Sequence, residues 1–184
     1  MIRLSMLLPL ALALACAGSP PAPPVANETQ ALNTTSAFSS PSGKSVSGIS
    51  LDTFPAPGKH GFSDDRGQVV VIDAWATWCG PCVRSLPLLQ KLRSDYASRG
   101  VRVYAVSVDE DRAQIPHFLA SARVDLPVLL DPGGFVLEDR LMLKQMPTTW
   151  VVDRAGQVRF TQESFEGNLD DIRAKLDALL GEGQ

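Results

Sequence analysis

The stretch "DAWATWCGPCVRSLP", Asp73 to Pro87, sets Cys79 and Cys82 two residues apart with Gly80 and Pro81 between them. Just upstream, "QVVVIDAW" is a short, continuous, β-branched run, the pattern of a strand covered on both faces. Downstream, Pro81 falls where the first turn of a helix tolerates it, and Leu86, Leu89 and Leu92 recur at helical spacing toward Tyr96. Gly100 stops that helix, and "VRVYAVSVD" makes a second buried strand. Val69 to Asp109 therefore reads as one βαβ unit with the cysteine pair at the carboxyl end of its first strand.

The same alternation continues toward the C-terminus. Arg112 to Ala122 reads as a helix, "LPVLL" as a short strand and "GFVLEDRLML" as another helix. "TTWVVD", the turn "RAG" and "QVRFTQ" form an antiparallel hairpin. In the last helix Asn168 supplies a cap, and Asp170 and Asp171 favour the positive end. Leu169, Ile172, Leu176, Leu179 and Leu180 line one face, and Gly181 closes it.

The N-terminus is unlike the rest. Arg3 precedes an apolar stretch from Leu4 to Ala15 that is followed by small residues around Cys16, the order of an export signal. With Pro9 inside it, the stretch falls short of the ~20 residues a spanning helix needs. "ALAC" resembles the lipobox of bacterial lipoproteins, which makes Cys16 a lipidation site and a membrane attachment. Ala13 stands where that box usually has Leu, and Ala13 and Ala15 also suit ordinary signal peptidase. In both cases the mature protein works outside the cytoplasm, on the periplasmic side of a bacterial membrane.

These features divide the chain into an export signal over 1–16, a flexible Pro/Ala/Ser-rich tether over 17–47 and a folded domain over 48–184. The tether has too few apolar residues to offset its ordering entropy. The 184 residues, 45% hydrophobic and 20% charged, suit one domain plus this extra length. A net charge of −3 with no Lys/Arg block gives none of the basic field that nucleic-acid binding draws on. Nucleic acid is not an expected partner.

Three readings compete for Cys79 and Cys82. A metal site needs two more ligands, yet Cys16 lies in the export segment and His60 and His117 are isolated from the motif. A structural disulfide suits an oxidising compartment but closes too short a loop to constrain the unfolded chain much. In a redox dithiol, the helix N-terminus stabilises a Cys79 thiolate, and Cys82, one turn on, resolves a mixed disulfide. Pro81 stiffens that turn and denies it one amide donor.

"WCGPC" after a buried strand, with "MPTT" before a later one, resembles the thioredoxin fold. Together with "VYAVSVDE" and "MPTTWVVDRAG", "WATWCGPC" resembles the extracytoplasmic TlpA/ResA/DsbE-like branch over about Phe62 to Leu180. The resemblance implies an α/β thioredoxin-like fold, βαβ plus ββα, with a helix and strand inserted between the halves at Arg112 to Leu130. It also implies an N-terminal hairpin in Ile49 to Phe62, where "FPAPGKHG" is a poor strand sequence.

By that resemblance Cys79 is the attacking nucleophile and Cys82 the resolving thiol, while Gly80 and Pro81 match thioredoxin's own dipeptide and imply a reducing poise. Trp75 and Trp78 match the flanking aromatic residues, with core packing an equal reading for Trp75. Pro147 matches the cis-proline facing the dithiol, so Met146 and Pro147, with Trp78, become substrate-binding candidates. Pro87 matches a helix-kinking proline. Asp73 matches thioredoxin's buried acid beneath the resolving cysteine, and its "VVVIDAW" setting favours burial over a solvated strand margin. Ser85 stands where many TlpA/ResA-like proteins carry Glu, which moves proton handling to Asp73. Arg84 reads as a solvated helix charge.

The expected activity is a thiol:disulfide oxidoreductase that reduces extracytoplasmic client proteins and is recharged by a membrane electron donor. No organic cofactor or metal is called for. A peroxidase of the alkyl hydroperoxide reductase type and a thiol-based copper-handling protein are the alternatives on the same fold.

Overall fold

A computed structural model describes residues 43–182. The extended run Val69–Trp75 (β3) is buried at every position. It lies inside a seven-stranded sheet ordered Lys59–Gly61 (β2), Ser50–Phe54 (β1), Val128–Leu130 (β5), Val101–Ser107 (β4), β3, Thr148–Val152 (β6) and Val158–Glu163 (β7). Its parallel neighbour is Val101–Ser107 (β4), registered Asp73 to Ala105, and its antiparallel neighbour is Thr148–Val152 (β6), registered Asp73 to Thr149. The helix Gly80–Tyr96 (α1) connects β3 to β4 and buries Leu86, Leu89, Leu92 and Tyr96 at the spacing the sequence shows. Gly100, at φ +80°, supplies the left-handed turn into β4 that a side chain would resist.

The inserted segment is a 3₁₀ turn at Arg112–Gln114, the helix Ile115–Ala122 (α2) and the strand Val128–Leu130 (β5). β5 runs parallel to β4 and antiparallel to Ser50–Phe54 (β1), so the insertion carries the N-terminal strands on its outer edge. A further turn at Pro132–Gly134 leads into Phe135–Leu141 (α3), whose first amides, Val136 and Leu137, donate to the buried Asp131 carboxylate. Val158–Glu163 (β7) completes the hairpin with β6. The helix Asp170–Gly181 (α4) then packs on β3, β6 and β7, with the Asn168 side chain accepting from the Asp170 amide. Tyr96 and Arg99 reach Asp177 of α4, and Arg173 of α4 pairs with Asp95 at 2.9 Å.

The thioredoxin-like α/β architecture is thus present, hairpin included. β1 pairs with Lys59–Gly61 (β2) because Pro55 and Pro57 fall in the turn between them, where no ladder amide is required. Packing also reaches back into the stretch read as tether. The Val46 amide donates to Gly156, and its side chain is 1% exposed in the core. Cys16 and the export segment lie outside the described residues.

Candidate active site

β3 delivers its carboxyl end to the loop Ala76–Trp78, and Cys79 then sits as the residue that starts α1. Cys79 and Cys82 are joined in a disulfide with their Cα atoms 5.3 Å apart. Cys79 is 5% exposed, at the rim, and Cys82 is 0% exposed, one turn inside. The order follows from helical geometry: the first residue faces out of the helix start and its partner faces the sheet. Gly80 and Pro81 are exposed over the pair, and Trp78 is 70% exposed beside it. The Cys82 amide donates to the Cys79 carbonyl at 3.1 Å, and Pro81 has no amide to give.

Asp73 is 0% exposed, and burial pushes its carboxyl up to about 7, opposed by a hydrogen bond from Thr149. The Thr149 hydroxyl donates to Asp73 Oδ1 at 2.6 Å from the directly paired position on β6. Asp73 Oδ2 is buried with no hydrogen-bond partner among the described residues. Because Thr148 pairs with Ala74, the preceding Pro147 arrives at the same end of β3 as the cysteine loop. Pro147 is buried and the Met146–Pro147 bond is cis. Met146 and Trp78 line one groove.

Other sequence candidates take structural positions. Trp75 is a core residue, its ring 5.0 Å from Phe118 of α2. Ser85 is buried and its hydroxyl donates to the Cys82 carbonyl at 3.3 Å. Arg84 and Pro87 are on the exposed side of α1. His60 is engaged by Asp65 at 2.7 Å, and His117 lies on α2 in the groove wall.

Sequence reading missed two residues. Thr149 reads in the sequence only as a strand residue, since its partnership with Asp73 depends on register. Asp109, 4% exposed, accepts from the Thr77 amide with both oxygens at 3.1 and 3.0 Å, from the Thr77 hydroxyl at 2.7 Å and from Ser107 at 2.8 Å. It ties the end of β4 to the loop that carries Trp78 and Cys79. The signal available was an acid placed just past a buried strand.

Residues 43–161 match the AhpC/TSA family. The chain belongs to the AhpC/TSA family. Within it, the chain is 31% identical over 121 residues to the thiol-disulfide oxidoreductase ResA of Geobacillus kaustophilus, covering 62% of this chain and 69% of that one. A crystal structure of a thiol:disulfide interchange protein DsbE from Chlorobium tepidum superposes with a TM-score of 0.68 at 30% identity, covering 75% of this chain and 96% of that one. A secreted thiol-disulfide isomerase from Corynebacterium glutamicum gives a TM-score of 0.64 at 25% identity, covering 72% and 83%. This AhpC/TSA member is an oxidoreductase of the thioredoxin-like type, with a redox-active cysteine pair.

Proposed function

We propose that this chain reduces disulfides in client proteins outside the cytoplasm, using Cys79 as nucleophile, Cys82 as resolving thiol and Asp73 as its proton acceptor. The observation that carries the proposal is the pairing of a rim cysteine with a fully buried one, on the strand–helix junction whose strand holds a buried acid titrating near 7. The Cys79 thiolate attacks one client sulfur and releases the other as a thiolate, leaving a mixed disulfide. Cys82, passing its proton to Asp73, attacks Cys79 and expels the second client sulfur. The client gains two electrons and leaves as two thiolates, which take up one proton returned by Asp73 and one from water, and Cys79–Cys82 ends oxidised. Trp78, Met146 and Pro147 would receive the client chain.

The reducing direction draws support from the first helical turn. Pro81 offers no amide, and the Cys82 amide is engaged by the Cys79 carbonyl, so fewer donors are left to stabilise a Cys79 thiolate. A less stabilised thiolate favours the disulfide and makes the dithiol the better reductant. Neither a cofactor nor a metal enters this cycle. Export by the Met1–Cys16 segment, attachment through a lipidated Cys16 and recharging by a membrane electron donor complete the proposal. No described helix is long and apolar enough to cross a membrane.

The test is a trap. Reduced Cys82→Ser protein mixed with a disulfide-bonded peptide is expected to accumulate a covalent adduct on Cys79, read by intact mass. Cys79→Ser protein is expected to give none. An adduct on Cys82 with Cys79 replaced, or none with either variant, contradicts the assigned order of attack.

A further inference from the structure

A groove of about 1210 Å³ is lined by Trp78, the residue next to Cys79, and by Met146, the residue before the cis Pro147, and is walled by α2, the Pro132–Gly134 turn and the segment after α3. It is larger than the roughly 300–1,000 Å³ of small-molecule pockets and suits a length of extended chain. Its rim is charged on one side. Glu110, Asp111 and Glu138 are exposed around it against the single cation Lys144. Asp109 also lines it, but that carboxylate is already filled by Thr77 and Ser107. Glu110, Glu138 and Lys144 form no ion pair among the described residues, so their charge faces whatever enters.

Trp78 supplies a second, independent preference. Its ring is 70% exposed at the residue before Cys79 and lines the same groove as the acidic residues, and an exposed indole face attracts guanidinium and ammonium groups. We propose that this groove docks an extended client segment carrying arginine or lysine within a few residues of its disulfide cysteine. Opposite charge on that segment speeds encounter and sets its register, and an acidic segment is turned away. The inference rests on the reductase reading, since it names the client class for the same site.

The experiment compares two synthetic disulfide peptides, identical but for arginine or glutamate flanking the cysteine, as substrates of the reduced full chain. Each rate is normalised to reduction by dithiothreitol, which removes the peptides' own difference in thiol acidity. The arginine peptide is expected to show a kcat/KM about 3- to 10-fold higher at low salt, the scale of a few exposed charge pairs. That ratio is expected to fall toward one at about 0.5 M salt and in a Glu110→Gln, Glu138→Gln double variant. Equal normalised rates at low salt overturn the groove assignment alone, as does a preference that persists in the double variant. Turnover of neither peptide overturns the reductase reading and the client assignment with it.

Discussion

The hydroxyl of Thr149 donates to Asp73 Oδ1 at 2.6 Å, across the β3–β6 pair, while Asp73 Oδ2 is equally buried and unpartnered. With Oδ1 engaged as an acceptor, a neutral Asp73 carries its proton on Oδ2. The same bond favours the ionised acid and so opposes the desolvation that raises its pKa.

Removing the donor with the near-isosteric Thr149→Val is expected to shift the resolving step alkaline. In the reduced protein Asp73 and Cys82 titrate as a pair, so the readout is the apparent midpoint of the pH–rate profile for client release. One lost hydrogen bond to a charged group corresponds to a shift of about one pH unit. Asp73→Asn removes the acceptor entirely and is expected to slow release about 10²-fold near pH 7. Stopped-flow resolution of a preformed mixed disulfide measures both.

Asp73 also sets a stability trend. Its folded pKa of about 7 lies above the unfolded value of 3.8, so between those values the folded state holds the extra proton. Stability from this group is fully present below pH 4 and is lost as pH rises through 7. Oxidised Asp73→Asn protein is therefore expected to gain on the natural chain over that window, on the order of 4 kcal/mol in total. Urea unfolding at pH 4, 5.5 and 7.5, values spanning that window, checks it. A constant difference at all three contradicts a buried acid with a raised pKa.

Asp109 holds the cysteine loop from 32 residues away in sequence, through the Thr77 amide and hydroxyl. Asp109→Ala leaves that amide and two hydroxyls without their acceptor, and a stability loss of about 3 kcal/mol is expected in the oxidised protein. Chemical denaturation reads it directly. A loss under about 0.5 kcal/mol, the range of an ordinary surface substitution, contradicts the anchoring role.

How much of this was legible in the sequence follows range. β3, α1 and α4 announce themselves through local periodicity, Gly100 and Asn168, and the cysteine pair sits where the strand–helix junction places it. The N-terminal hairpin is obscured because "FPAPGKHG" contributes only three residues to β2 and spends its prolines in the turn. Its Asp52 and Lys59, an exposed ion pair at 2.8 Å, become neighbours only once the register is known. Thr149 and Asp109 are hidden for the same reason. Each acts on a residue far away in the chain, and only strand pairing brings the partners together.

The most direct measurement is the reduction potential of the Cys79–Cys82 pair in the natural chain, equilibrated against glutathione or dithiothreitol buffers and read by thiol alkylation. A first turn short of amide donors predicts a value near the thioredoxin end of the scale, about −270 mV. A value near about −120 mV, the strongly oxidising end, contradicts a reductase and makes the pair a donor of disulfides instead.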